Sequence, residues 1–180
     1  ALQRKFADTI NAIATARDSA RHQAEAQSWA DLFAALDAIR AHELNVINNV
    51  DASILSADKA QLENHITGVS RWPNGTFSAV QQRLAKVDAV QKSDQQTNTT
   101  ALKTLTIRAE ILAGQESPES DKAMRMNYQV QQLQQGLGQR DSHFEPLITE
   151  WIACGGVPDS EYGPLVDRFN RSRQQLDQGK

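Results

Sequence analysis

With 180 residues, 39% of them apolar and 23% charged, and only nine Gly and five Pro, the chain has the composition of a folded protein and excludes collagen-like, linker-like or wholly disordered material. Its 19 Lys and Arg against 22 Asp and Glu leave a net charge of −3, without the basic footprint of a dedicated nucleic-acid binder. One cysteine, Cys154, excludes an internal disulfide framework and a Cys-rich zinc site, and fits a reducing compartment.

Charge does not divide the chain: residues 1–90 carry nine basic and ten acidic side chains, and residues 91–180 carry ten and twelve. These two helical parts are expected to pack as one domain. No stretch approaches the roughly 18 apolar residues that span a bilayer, and no basic-then-apolar leader is present, so the sequence reads as soluble. The chain starts on Ala1 inside a periodic pattern, as expected for part of a longer polypeptide. Removal of Met before a small residue gives the same start.

Leu2, Phe6, Ile10 and Ile13 lie on one helical face that continues through Ala16, Ala20 and Ala24. The apolar end suits a core, and the alanine end suits close approach of another helix. The next stripe is Trp29, Leu32, Phe33, Leu36 and Ile39. A new helix starting near Ser28 and one continuous long helix both fit. Asp58 is a candidate cap for a helix bearing Leu62, Ile66 and Val69, and Trp72-Pro73-Asn74-Gly75 is a strong breaker. Thr76 starts a helix with Phe77, Val80, Leu84 and Val87 on one face. The polar run Gln91 to Thr100 reads as a linker or as the first turn of the helix that carries Leu102, Leu105, Ile107, Ile111 and Leu112.

Gly114 suits the left-handed residue that closes that helix, Ser117 an N-cap, and Pro118 the first helical position. So short a connection predicts an antiparallel hairpin with the helix bearing Ala123, Met126, Val130, Leu133 and Leu137, which ends near Gly136 to Gly138. Ser142 is a candidate cap for the next helix, with Phe144, Leu147, Ile148, Trp151 and Ile152 buried and Gly155-Gly156 closing it. The last helix runs from about Asp159 to Asp177 with Tyr162, Leu165, Phe169 and Leu176. No run alternates with period two. The reading is all-α: an irregular bundle or short solenoid of about six to eight helices in consecutive antiparallel hairpins.

Within LTIRAEILAGQESPESDKAMRMNYQVQQLQQGLG, residues 105–138, the pieces Arg108, Glu110 to Ala113, Ser117-Pro118, Asp121, Ala123, Arg125, Met126, Tyr128 to Val130 and Leu133 carry a family likeness. This segment resembles the carboxyl-terminal part of bacterial proteins of the domain-of-unknown-function 349 family. The resemblance covers about a fifth of the chain. It implies a cytosolic bacterial protein of several long helical segments, of which this is the carboxyl-terminal region, and brings no catalytic residues.

Chemistry-bearing patterns are sparse. Histidines 22, 42, 65 and 143 lack zinc-helix spacing, since Val46 stands four residues after His42. No glycine loop has the form of a phosphate cradle, and no nucleophile, base and orienting group come together in sequence, so catalytic, cofactor and metal sites are not expected. Across the bend at 114–117, positions whose numbers add to about 233 face each other in an antiparallel hairpin, which predicts a charge cluster of Arg108, Glu110, Lys122 and Arg125 that sets register. Arg168, Arg171 and Arg173 are candidates for contact with nucleic acid or another partner. Function is therefore read as a non-catalytic interaction or scaffold region of a larger cytoplasmic protein, with a protein partner. RNA binding or ribosome association is the alternative. The sequence leaves the oligomeric state open.

Overall fold

The chain has neither Gly nor Pro before Gly68, and in the computed structural model its first 46 helical residues form one uninterrupted rod, α1 (Leu2–Ile47). Of the two sequence readings at Ser28, the continuous helix is the one observed. Asn48 and Asn49 end α1: Asn49 takes a left-handed φ of 57°, and the Val50 N–H donates back to Asn45 at 3.1 Å. Asparagine tolerates that conformation, which satisfies carbonyls the helix leaves open.

The structure describes residues 1–136 and 141–179, and these hold seven α-helices and no strand. After α1 come α2 (Ala52–Thr67), α3 (Thr76–Ala85), α4 (Gln95–Ala113), α5 (Lys122–Gln134), α6 (Glu145–Ala153) and α7 (Asp159–Gln178). Helix α2 starts well before the expected Asp58, because Asp51 accepts from the Ser53 N–H at 2.9 Å and caps it. The breaker at 72–75 separates α2 from α3, with Gly75 at φ 77°. Gly114 closes α4 at φ 68°, and Gln115 N–H returns to Glu110 O at 2.8 Å. Pro118 does not open a helix directly. It is extended, a single 3-10 turn follows over Glu119–Asp121, and α5 begins at Lys122. Likewise α6 begins at Glu145 rather than at a Ser142 cap, and the expected end of α5 at Leu137 and Gly138 falls outside the described residues.

The main helix pairs are α4 with α7, α3 with α6, and α1 with α2, so two of the three join elements distant in sequence. One apolar core draws on both halves of the chain: Leu32, Leu36 and Ile39 of α1 and Val80 of α3 meet Leu102 and Leu105 of α4, Ile148 and Trp151 of α6, and Leu165 and Phe169 of α7. Trp151 and Phe169 stack with centroids 4.0 Å apart, and Phe169, Phe144 and Trp29 continue the aromatic row. Among the described residues no helix is long and apolar enough to cross a membrane.

Candidate interaction surface

Only the second half of α1 joins this core. Residues 1–27 are all exposed, a helical arm about 40 Å long at 1.5 Å per residue. Eight alanines and no Gly or Pro in these residues favour the helix without tertiary support. The row expected to enter a core lies in solvent instead: Leu2 is 87% exposed, Phe6 69%, Ile10 50% and Ile13 51%. Helical spacing places Arg4, Asn11, Thr15, Asp18 and His22 on the opposite, polar face. The arm carries four basic and three acidic residues, so it has no strong field of either sign. A second apolar row, Met126, Val130 and Leu133 on α5, is also exposed. In both cases periodicity marks a face without showing whether anything covers it.

The structure separates the predicted charge cluster into three parts. Glu110 is buried and receives Arg168 through Nε at 2.7 Å and Nη2 at 3.1 Å. Its other neighbour is the Ser117 hydroxyl, which donates to it. Arg168 also reaches Asp121 at 2.6 Å, and Arg125 donates to Gln115 O at 2.6 Å and to Ser117 Oγ at 3.1 Å. These groups tie α4, the bend, α5 and α7 together. Burial by itself would lower the Arg168 pKa, and its bonds to Glu110 and Asp121 raise it overall. Arg108 points elsewhere, bidentate on Asp141 at 2.8 and 2.9 Å with Glu150 at 2.9 Å. Lys122 makes a surface pair with Glu119 one turn away. Both belong to other contacts because α4 packs chiefly on α7 and not along α5 as the hairpin register assumed.

Of the three arginines of α7, Arg168 is committed inward, and Arg173 lies over the Trp29 ring at 4.7 Å while bonding Asp177 at 2.7 Å and Asn170 at 2.9 Å. Burial lowers the pKa of Arg173, against the pull of Asp177. Arg171 is exposed.

No protein-family model matches the chain, and no curated protein or solved structure shows significant similarity to it.

Sequence reasoning missed a second buried ion pair. Glu43 of α1 receives Arg83 of α3 through two nitrogens, Arg83 donates onward to Ile152 O at 3.3 Å, and the Gly156 N–H points to the same carboxylate at 3.4 Å. Gln95 and Asn98 hold this loop from the other side by donating to Gly156 O and Gly155 O at 3.0 and 2.7 Å. Of the two readings of the polar run Gln91 to Thr100, the start of a helix is the one observed from Gln95 onward, and the amides of Gln95 and Asn98 are spent on the glycine loop. The available signal was Glu43 itself, a carboxylate within an apolar-spaced stretch of α1.

Cys154 sits beside this loop, half-buried, with its thiol against Glu150 O at 3.5 Å. Burial pushes its pKa up to about 11, so the thiol stays protonated at neutral pH. His42 is buried with Nε2 3.3 Å from Asp88, whose carboxyl is held below its ordinary range first by Lys59 and then by His42. Among the described residues no three His, Cys, Asp or Glu side chains gather where they could hold a metal ion. A cleft of about 400 Å³ at the base of the arm is lined by Trp29, Trp72 and Phe144 with Arg71, Asn74 and His143.

Proposed function

We propose that this chain is a non-catalytic interaction or scaffold region of a larger cytosolic bacterial protein, and that the projecting half of α1 makes its contact with another protein. One observation carries the reading: Leu2, Phe6, Ile10 and Ile13 stand between 50% and 87% exposed on an arm whose 27 residues are all exposed. Burying a large apolar side chain gains about 1.5–3 kcal/mol, so four left in water forgo several kcal/mol that a partner surface would recover. The likeness of residues 105–138 to the domain-of-unknown-function 349 family supports the cellular setting. RNA binding is the weaker reading, because Arg168 and Arg173 are engaged with carboxylates and the arm is nearly neutral.

A photo-cross-linking amino acid at Phe6 in the full-length protein, activated in cells, tests this. The expected result is a discrete protein adduct that survives ribonuclease and is absent when the cross-linker replaces Asn11 on the polar face. No adduct from Phe6, or one lost on ribonuclease treatment, overturns the reading.

A further inference from the structure

We infer that the cleft between Trp29, Trp72 and Phe144 is a binding site for an alkylated ammonium group. This goes beyond the contact made by the arm. Four parts of the chain meet there: Trp29 in α1, Trp72 in the bend between α2 and α3, Phe144 immediately before α6, and Asp177 near the end of α7. The rings of Trp29 and Phe144 stand 6.1 Å apart at 67°, so they form a corner rather than a stack. Trp72, braced by Phe77 at 5.6 Å, adds a third aromatic side. The cavity of about 400 Å³ is of the size that takes a small ligand.

The aromatic row of the core runs out into this cleft. Trp151 and Phe169 are buried, whereas Phe144 and Trp29, the next in line, are only half-buried. The face of an aromatic ring carries partial negative charge and attracts cations. Trp29 already holds one, since the Arg173 guanidinium lies 4.7 Å from its ring centroid. Charge on the rim agrees: Glu25, Glu145 and Asp177 line the cleft against a single guanidinium, that of Arg71. Arg173 takes up Asp177, while Glu25 and Glu145 are in no ion pair among the described residues. An anionic ligand would meet these carboxylates as like charges.

The walls favour an alkylated ammonium over a bare one. A primary ammonium carries three N–H donors, and each must find an acceptor once water is displaced. Alkylation removes those donors, keeps the charge and adds an apolar shell. The three rings and the side chains of Leu112, Ile148 and Leu176 accept that shell by contact. Cation–ring contacts at half-exposed sites are individually weak, so a dissociation constant in the range of about 0.1–10 mM is expected.

Choline is the probe, and 3,3-dimethylbutan-1-ol, of the same shape without the charge, is its control. Proton–nitrogen NMR of the 180-residue chain gives one indole signal for each of its three tryptophans, and the buried Trp151 serves as internal reference. With choline chloride raised to about 50 mM against matched sodium chloride, the Trp29 and Trp72 signals should move and saturate while that of Trp151 stays. The neutral alcohol should bind at least ~10-fold more weakly. Glu25 and Glu145 are exposed, so the double variant Glu25→Gln with Glu145→Gln keeps the fold. It should weaken choline about threefold or more and leave the alcohol unchanged. Choline compared with an acetylated, amidated trimethyllysine tells a free molecule from a modified lysine side chain: the tighter of the two names the source. Unmoved indole signals, equal binding of choline and the neutral alcohol, or indifference to the double variant overturns the cation site.

Discussion

Replacing Gly155 by alanine is expected to destabilise the protein by about 3 kcal/mol and to lower its melting midpoint by about 6–12 °C. A Cβ at this position would fall on the Glu43 carboxylate. That carboxylate has nowhere to retreat, because it is buried and held by Arg83 and the Gly156 N–H. Either the loop moves, breaking its bonds from Gln95 and Asn98, or Glu43 turns away and leaves the buried Arg83 guanidinium with only Ile152 O. Leaving a buried charge without its counter-ion costs about 3–5 kcal/mol, and overpacking alone about 1–3. Gly68→Ala is the control. Its φ is −76° and its nearest neighbour stands at 3.4 Å, an ordinary contact, so a change within about 0.5 kcal/mol is expected. Thermal melts of the two variants against the parent measure the difference. Equal small shifts would mean that the Glu43–Arg83 pair does not close over the glycine loop.

Glu110→Ala is expected to cost about 3–4 kcal/mol, against a change within about 0.5 kcal/mol for the exposed Glu25→Ala. The substitution takes two hydrogen bonds from Arg168 and the acceptor from Ser117, and leaves a cavity between α4 and α7. Arg168 keeps Asp121, which limits the loss. A double-mutant cycle with Arg168→Ala separates the pair from its surroundings: a coupling of about 1 kcal/mol or more is expected for groups in direct contact. Additive losses in urea or thermal unfolding would show that the two side chains do not act together. An exchange of both for apolar residues of similar volume should be far less damaging than removing Glu110 alone, since burial of an ion pair contributes little net stability.

The helical fold was legible because its signals are local. The stripe Tyr162, Leu165, Phe169 gave α7, the breaker at Trp72 to Gly75 gave the start of α3, and Gly114 gave the end of α4 with the left-handed conformation its position requires. The start of α2 was misplaced because two aspartates compete as caps, and only Asp51 is followed by a residue, Ser53, whose N–H it reaches. The pairing of helices was not legible. Helix α4 packs chiefly on α7, and Glu110 meets Arg168 across 58 positions, a distance no spacing rule covers. Gly155-Gly156 read as a helix stop, whereas its lack of side chains makes room for a carboxylate more than a hundred residues earlier in the chain.

The arm shows the opposite limit. Its stripe was found correctly as a face, and burial was inferred from it, because apolar periodicity has the same form whether the covering surface lies in the same chain or in another. The alanines at its base bear the same ambiguity, suiting close approach by a helix of either origin.

Everything proposed for function depends on α1 continuing straight out of the body as far as Leu2. Spin labels at Asp8 on the arm and Ala34 on the exposed side of α1, in a Cys154→Ser background diluted with unlabelled chain, measure this by dipolar electron paramagnetic resonance. A single narrow distance near 39 Å (about 1.5 Å for each intervening residue) is the expected result. A short or broad distribution, with the arm folded back onto the bundle, would contradict it and remove the interaction surface.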